Sequence, residues 1–283
     1  EAFTIHGIPE LAFTSCAKIV LLGIFCAGLS VVFCIFLKGA GLFYNKFFKK
    51  PYMRIIVGGL LVIAITLLIG NYDYNGAGTD MIARAIEGNV PAYAFLIKML
   101  LTALTLAAGY KGGEIVPAFF TGATFGCLFG HIFGISPSLC AATGMLALFC
   151  GVTNCPIASM LIGFELFGFE GVSYILIAIS ISYMLSGYHG LYKEQIIVYS
   201  KYHPKFINRL SGDERFDTGL ADEWRGIYGS RYRYRRSLVG WTEDDRLYRR
   251  GQFRSARRIF NAYRTLAGWT GGRIDRRQFG FCQ

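Results

Sequence analysis

Apolar residues gather along this chain into long runs that are almost free of charge. Five such runs are evident, at 17–37, 55–70, 91–109, 136–164 and 171–189. Their only charged residues are Lys18 and Lys98. A helix of about 20 apolar residues spans the hydrocarbon layer of a bilayer, whereas a membrane β-barrel would show short alternating segments, which this pattern lacks. The runs therefore predict an all-α, polytopic membrane protein.

Composition supports this interpretation, and the first residues add an expectation about the start of the chain. Hydrophobic residues make up 53% of the 283 residues and charged residues only 17%, which is apolar for a soluble domain. The chain begins at Glu1 and lacks the basic start of a signal peptide. A Gly-Ile-Pro turn that leads into an apolar run is typical of the middle of a protein, so we expect a truncated N-terminus.

The use of lysine and arginine changes abruptly after residue 212. Residues 1–212 hold 10 Lys and 3 Arg, with a net charge of +4, whereas residues 213–283 hold 16 Arg and no Lys, with a net charge of +7. This change predicts a membrane domain at 1–212 and an Arg-rich C-terminal tail at 213–283. The tail is either a native cytoplasmic extension or a peptide from another reading frame or a fusion. Its interspersed acids and the lack of a recognisable module favour anionic lipid or solvent over nucleic acid as its partner.

Two basic loops predict the orientation of the chain. One lies between the first two apolar runs and contains Lys46, Lys49, Lys50 and Arg54. The other follows the last apolar run and contains Lys193, Lys201, Lys205 and Arg209. Because basic loops stay on the cytoplasmic side, both loops and the C-terminus are predicted to be cytoplasmic, in a protein of the cell membrane.

A single acid stands at the head of one apolar segment, "GGEIVPAFFTGATFG" at 112–126. Pro117 fits only the first turn of a helix, so a helix is predicted to begin at 113–115 and to end near Phe133. The amide N–H groups of that first turn have no acceptor inside the helix and lie at the positive end of its dipole. The start of this helix therefore predicts a site for an anion, and Gly112 and Gly113 permit a tight turn and close backbone approach ahead of it.

Two polar side chains are candidates for action at such a site. Glu114 within a membrane would carry protons, since burial favours the protonated carboxyl; the alternative is that it caps its own helix in a solvated vestibule. Tyr192, just past the last apolar run, would donate its hydroxyl to the anion; the alternative is an aromatic residue of the membrane interface. The residues alone leave both alternatives open.

The other reactive residue types point away from metal and redox chemistry. Seven of the eight cysteines lie in or beside apolar runs, and no CxxC pair occurs. This pattern predicts that the cysteines are free thiols that serve as small buried hydrophobic residues. The four histidines are scattered, so no metal site is predicted; they are His6, His131, His189 and His203. Gly126, Gly130 and Gly134 repeat every four residues and predict close packing of one helix face.

Four stretches, taken in order, resemble the CLC family of chloride channels and anion/proton antiporters over residues 3–209. They are "NGAGTDMIARAIEGN" at 75–89, "GGEIVPAFFTGATFG" at 112–126, "GMLALFCGVTNCPIASMLIGFELFG" at 144–168 and "GYHGLYKEQIIVYSKY" at 187–202. The resemblance implies a bundle of broken and tilted membrane helices, a homodimer, and a bound halide in place of any cofactor. It covers the second inverted repeat of the family; the first repeat, with its gating glutamate, is expected in a missing N-terminal part.

The resemblance also implies roles for individual residues. The anion would be held by the backbone at Gly113, Glu114 and Ile115 and by the hydroxyl of Tyr192, with Glu114 coupling anion movement to protons. Ile115 stands where the family usually has phenylalanine, and a glutamate in the motif is typical of the fluoride/proton antiporter branch. Val116 departs from that branch, which has a hydroxyl residue there, so fluoride and chloride both stay open.

The sequence thus predicts membrane transport of a halide, fluoride or chloride, by a protein that is not an enzyme. Channel and proton-coupled exchanger both stay open. The alternative from another class is a non-transporting membrane scaffold or interaction fragment, because half of the resembled site lies outside this chain. A third class, a soluble nucleic-acid binder carried by the tail, is disfavoured by the apolar runs.

Overall fold

The computed structural model describes residues 3–48, 50–192, 195–201 and 206–210, so the predicted tail at 213–283 and its lipid contact lie outside the described residues. The described elements, in chain order, are α1 Phe13–Phe47, α2 Pro51–Ile69, α3 Thr79–Ile86, α4 Ala94–Ala108, α5 Ile115–Phe133, α6 Pro137–Thr153, α7 Pro156–Phe167, α8 Val172–Leu185, β1 Ile196–Tyr199 and β2 Phe206–Leu210. The predicted all-α fold is confirmed, with one short strand pair as the exception among the described residues.

Three of the described helices, α1, α2 and α5, are long and apolar enough to cross a membrane. The other apolar helices, α4, α6, α7 and α8, have between 10 and 17 residues, which suits broken helices that are enclosed by protein. The uncharged run 136–164 is divided by Asn154, which ends α6, and by Pro156, which begins α7. This mixture of spanning and shorter helices fits the bundle of broken membrane helices that the resemblance implies.

Proline and glycine set most of the helix boundaries. Three helices, α2, α6 and α7, carry proline at the start of their first turn, where its missing N–H costs nothing. Gly70, Gly109 and Gly134 end α2, α4 and α5 with φ angles of 69°, 105° and 60°. Glycine adopts this left-handed conformation with little strain, so these boundaries follow directly from local sequence.

The α5 and α6 helices pack backbone against backbone at the centre of the bundle. A Cβ atom added at Gly126 would collide with the carbonyl oxygen of Cys140, and one at Gly130 would lie 2.7 Å from the Cα atom of Pro137. The predicted close packing at these two glycines is confirmed. The assignment of Gly134 to the same face is wrong, because Gly134 is the left-handed C-cap of α5 and a Cβ atom there would meet nothing within 4 Å.

The outer face of α2 is apolar and is not covered by the described residues. Leu67 and Leu68 are 69% and 86% exposed, and the buried residues of α2 are Gly58 and Thr66 alone. An uncovered apolar helix face is typical of contact with lipid or with another helix inside a membrane.

Lys98 is a charged residue within the apolar α4 and is only 2% exposed. Its ammonium group donates to the carbonyl oxygens of Tyr74 and Gly76 at 3.1 and 2.7 Å. The same group lies 4.7 Å from the centre of the Phe120 ring on α5. A buried ammonium requires such partners, and through them Lys98 joins the link between α2 and α3 to the core of the bundle.

Replacing Lys98 with methionine is expected to lower the free energy of unfolding by about 1–3 kcal/mol, because the side-chain volume is nearly kept while two backbone carbonyls lose their donor. Thermal unfolding in detergent measures the loss, and proteolysis within residues 70–78 shows whether the link is released. The matched control is Lys46→Met, because Lys46 is exposed near the end of α1. Equal stability of the two variants would contradict the role of Lys98.

The chain after α8 forms a short antiparallel strand pair that the sequence analysis did not predict. Ile196 pairs with Leu210, and Tyr199 pairs with Phe206, with an irregularity in register between them. The β-branched run "IIVY" at 196–199 is an ordinary strand signal. The sequence analysis gave this strand signal less weight than the long apolar runs that precede it, which predict helices.

Candidate functional site

The first turn of α5 has the geometry predicted for an anion site. The helix runs Ile115–Phe133 with Glu114 as its N-cap residue, so the predicted helix is confirmed. The Ala118 amide donates to the Glu114 carbonyl oxygen at 3.2 Å and closes the first turn. The amides of Ile115 and Val116 come before that bond, and the next residue is a proline without an N–H. These N–H groups therefore lie at the positive end of the helix dipole.

The turn ahead of this helix is made by Gly109 and not by the glycine pair at 112 and 113. Gly109 has a φ of 105°, whereas neither Gly112 nor Gly113 has a positive φ. The tight turn that the pair permits is not formed there. A Cβ atom at Gly113 would meet nothing within 4 Å, and residues 110–113 are exposed in the described chain, so the pair leaves the approach to the helix start unobstructed.

Glu114 is half-buried at this helix start. Its side chain makes no capping hydrogen bond to α5, so the alternative of a glutamate that caps its own helix is not realised in the described chain. The carboxyl lies close enough to Cys34 on α1 and to Tyr192 beyond α8 to interact with both electrostatically. Glu114 thus lies near two other elements of the bundle.

Tyr192 is brought to the same end of α5 by the loop that carries it. The Leu191 amide donates to the Val152 carbonyl oxygen at 2.9 Å, which ties the loop to the last turn of α6. Leu191 also packs against a buried cluster that contains Ala118 of α5. Since Ala118 follows Glu114 by one helical turn, the loop holds Tyr192 beside the helix start.

The Tyr192 hydroxyl is a hydrogen-bond donor at neutral pH. Partial burial raises the pKa of Tyr192, and the neighbouring Glu114 carboxyl raises it further. Tyr192 is 43% exposed and Ile115 is 38% exposed, so one side of the site is open in the described chain. The predicted residues Gly113, Glu114, Ile115 and Tyr192 therefore meet at one end of α5, and their binding of an anion stays a prediction.

Five of the seven described cysteines are buried as the sequence predicts, whereas Cys16 and Cys155 are only partly buried. Seven are free thiols, and those that are fully buried are Cys26, Cys34, Cys127, Cys140 and Cys150. The eighth, Cys282, lies outside the described residues. Within the described part of the chain no group of three or more His, Cys, Asp or Glu side chains is arranged to hold a metal ion.

Sequence reasoning missed two residues that brace the loop carrying Tyr192. The Asn154 side chain donates to the carbonyl oxygen of His189 at 2.7 Å. The Lys201 ammonium donates to the carbonyl oxygen of Tyr183 at 2.7 Å. An asparagine at the end of an apolar run is a signal for a left-handed helix cap, whereas Lys201 carried no signal beyond its place in a basic loop.

Comparisons with known proteins identify the family of this chain. Residues 2–187 match the family model for the voltage gated chloride channel. A chloride/fluoride channel protein of Pseudomonas syringae pv. tomato is 30% identical over 223 residues, which are 76% of this chain and 49% of that protein. An uncharacterised protein of Methanocaldococcus jannaschii is 26% identical over 148 residues, which are 51% of this chain and 38% of that protein. The chain thus spans half or less of the length of these relatives.

A solved structure shows the same relationship in three dimensions. The crystal structure of a CLC-type fluoride/proton antiporter matches with a TM-score of 0.65 and 27% identity, over 68% of this chain and 49% of that one. The family-model match includes all eight helices of the described residues, with the start of α5, and it ends at residue 187, before Tyr192. The chain belongs to the voltage-gated chloride channel family, the CLC family, of integral membrane proteins.

Proposed function

We propose that this chain is the part of a CLC-type transporter that holds a halide at a helix start and exchanges it against protons. One observation carries the proposal: the N–H groups at the start of α5, the Glu114 carboxyl and Tyr192 lie at the same end of one helix. The process makes and breaks no covalent bond, so the chain acts as a transporter and not as an enzyme. It needs no cofactor beyond the bound halide.

The proposed site uses uncharged donors. The anion lies against the backbone amides of Glu114 and Ile115, next to Gly113, and accepts a hydrogen bond from the hydroxyl of Tyr192. The helix dipole adds positive potential at this point without a fixed positive charge. Such donors act strongly where water is excluded, yet they hold the ion less tightly than a buried lysine or arginine would, which allows release and hence conduction.

Glu114 supplies the proton-carrying group in this proposal. An ionised carboxylate beside a bound anion repels it, whereas a protonated carboxyl donates a hydrogen bond to it. Arrival of the anion therefore favours proton uptake by Glu114, and departure of the anion favours proton release. Exchange in opposite directions requires that the proton reach and leave Glu114 from the membrane side opposite to the anion. One side chain thereby couples the two movements.

We propose that another part of the same protein covers the open side of the site. Ile115 and Tyr192 are exposed on that side, and the chain covers half or less of its relatives. An N-terminal inverted repeat would cover these residues and supply the gating glutamate. We further propose that the complete protein is a homodimer in the cell membrane, with its C-terminus in the cytoplasm.

Fluoride is the proposed ion, ahead of chloride. A glutamate in the motif is typical of the fluoride branch, and the names of two matched proteins mention fluoride. The test is reconstitution of the protein encoded by the complete gene, with efflux measured separately in fluoride and in chloride. Faster fluoride efflux supports the proposal and faster chloride efflux assigns chloride, whereas no efflux of either ion favours a non-transporting scaffold.

Replacing Tyr192 with phenylalanine is expected to reduce the preference for fluoride over chloride, or the efflux rate, by about fivefold. The ring keeps its shape but loses one hydroxyl donor, which is worth about 1 kcal/mol. Efflux from proteoliposomes measures the change. The control is Tyr72→Phe, because Tyr72 is 73% exposed in the link between α2 and α3; an equal change at Tyr72 would argue against contact between Tyr192 and the ion.

A further inference from the structure

Lys201 lies where the ends of two helices meet. Its ammonium donates to the Tyr183 carbonyl oxygen at 2.7 Å and to the Ser186 hydroxyl at 3.2 Å, both at the C-terminal end of α8. It also donates to the side-chain oxygen of Asn154, the C-cap residue of α6. Because the C-terminal ends of helices carry negative partial charge, this junction stabilises a cation.

The three acceptors occupy all three N–H groups of the ammonium. Burial lowers the pKa of Lys201 to about 8, so the charged form with three donors still predominates at neutral pH. The Tyr183 ring lies 4.2 Å from Nζ and covers it. Lys201 therefore has no donor left for a transported anion, and its role lies in what it holds in place.

Asn154 connects Lys201 to the loop that carries Tyr192. Its oxygen accepts from Lys201, which leaves its amide nitrogen to donate to the His189 carbonyl oxygen at 2.7 Å. Asn154 has a φ of 56° and is the one non-glycine residue with a positive φ among the described residues. This left-handed backbone, together with the Lys201 bond, fixes the direction of the amide.

Two more contacts hold the same loop. The Tyr188 hydroxyl lies 3.0 Å from the Ser200 hydroxyl and accepts from the Lys201 amide at 3.2 Å. The Leu191 amide donates to α6, as described above. The loop 187–192 is therefore held near its start by the segment that contains Lys201, in its middle by Asn154, and next to Tyr192 by α6.

We propose that Lys201 is a positioning residue: through Asn154 and the His189 carbonyl it fixes the loop 187–192 and sets where the Tyr192 hydroxyl lies relative to the start of α5. The transport consequence rests on the proposed function, whereas the restraint on the loop does not. Removal of the ammonium takes one donor from each of three acceptors, of which the Tyr183 carbonyl keeps the Ser186 hydroxyl as a donor at 3.2 Å. The Asn154 side-chain oxygen loses its bond to Lys201, and the Asn154 amide is then free to turn away from His189. Tyr192 then loses its defined position while α5 stays in place.

The test compares Lys201→Met with Lys201→Arg in the protein encoded by the complete gene. Lys201→Met is expected to raise the KM for fluoride and to lower the preference over chloride by about fivefold, as loss of the Tyr192 donor does. Lys201→Arg keeps a cation with several donors at the helix ends and is expected to restore most of that preference. Equal defects in the two variants would overturn the proposal.

A double variant shows whether the lysine acts through the tyrosine. Added to Tyr192→Phe, which no longer has a hydroxyl to position, Lys201→Met is expected to change the preference by less than about twofold. Fully additive defects would mean that Lys201 acts on the ion by another route, against the proposal. Lys46→Met is the control, since Lys46 is exposed on α1 and its change is expected to leave efflux unaltered.

Hydrogen exchange separates failure of this proposal from failure of the proposed function. In Lys201→Met the Leu191 amide is expected to exchange about tenfold faster, while the amides of α5 keep their rates. Unchanged exchange at Leu191, or faster exchange throughout α6 and α8, overturns the proposal whatever the flux. Faster exchange confined to the loop, in a protein that moves no halide, supports the restraint by Lys201 and refutes the transport function.

Discussion

Replacing Glu114 with glutamine in the protein encoded by the complete gene is expected to lower the ratio of protons to fluoride ions moved by about tenfold or more. Glutamine keeps the shape of the carboxyl and its hydrogen-bonding capacity, but it cannot take up or release a proton. The amides at the start of α5 are unchanged, so fluoride movement itself is expected to continue. Fluoride and pH electrodes in one suspension of proteoliposomes measure both fluxes together.

The matched control for this experiment is Glu165→Gln, since Glu165 is an exposed glutamate on α7. Its proton-to-fluoride ratio is expected to equal that of the wild type. An unchanged ratio in Glu114→Gln would remove Glu114 from the coupling step and leave it only as the electrostatic neighbour of Tyr192. Loss of both fluxes in Glu114→Gln would instead assign the carboxyl to the holding of the ion.

Replacing Gly126 with alanine is expected to lower the free energy of unfolding by about 3 kcal/mol or more, at the upper end of overpacking costs. The added methyl group would collide with the Cys140 carbonyl oxygen, a backbone atom that has no rotamer to change. On the facing helix, a Cβ atom at Gly144 would lie 2.7 Å from the Gly122 carbonyl oxygen. Relief therefore requires α5 and α6 to separate, and α5 carries the candidate site.

Gly28→Ala is the matched control for this substitution. Gly28 lies in α1, and a Cβ atom there would meet nothing within 4 Å. Alanine is a better helix former than glycine by about 1 kcal/mol, so this variant is expected to be as stable as the wild type or more stable. Unfolding by denaturant in detergent compares the two, and wild-type stability of Gly126→Ala would contradict the backbone contact between α5 and α6.

The features that the sequence predicted correctly are those that depend on neighbouring residues. Pro117 fixed the first turn of α5 because proline is restricted wherever it occurs, and the charge-free runs marked the apolar helices. The ordered stretches indicated the family. Gly126 and Gly130 were predicted because a four-residue repeat describes one helix face.

The features that were missed depend on contacts between distant parts of the chain. Lys201 donates a hydrogen bond to Asn154, 47 positions earlier in the chain. No pattern among neighbouring residues predicts such a partner. Gly134 continues the four-residue repeat but lies at the end of α5, where it forms the left-handed C-cap and a Cβ atom would meet nothing within 4 Å. Gly113 was read as a turn residue, although the turn had already been made at Gly109.

The first helix is much longer than the apolar layer that surrounds it. The 35 residues of α1 extend about 52 Å, against a hydrocarbon thickness of about 30 Å. Tilt alone would have to reach about 55° to bring this length within the hydrocarbon layer, beyond the range of about 40° seen for membrane helices. We therefore expect one end of α1 to extend to the lipid headgroups. The α1 helix contacts α4, α6 and α8. A change in bilayer thickness that alters the tilt of α1 would therefore act on the helices that support the proposed anion site.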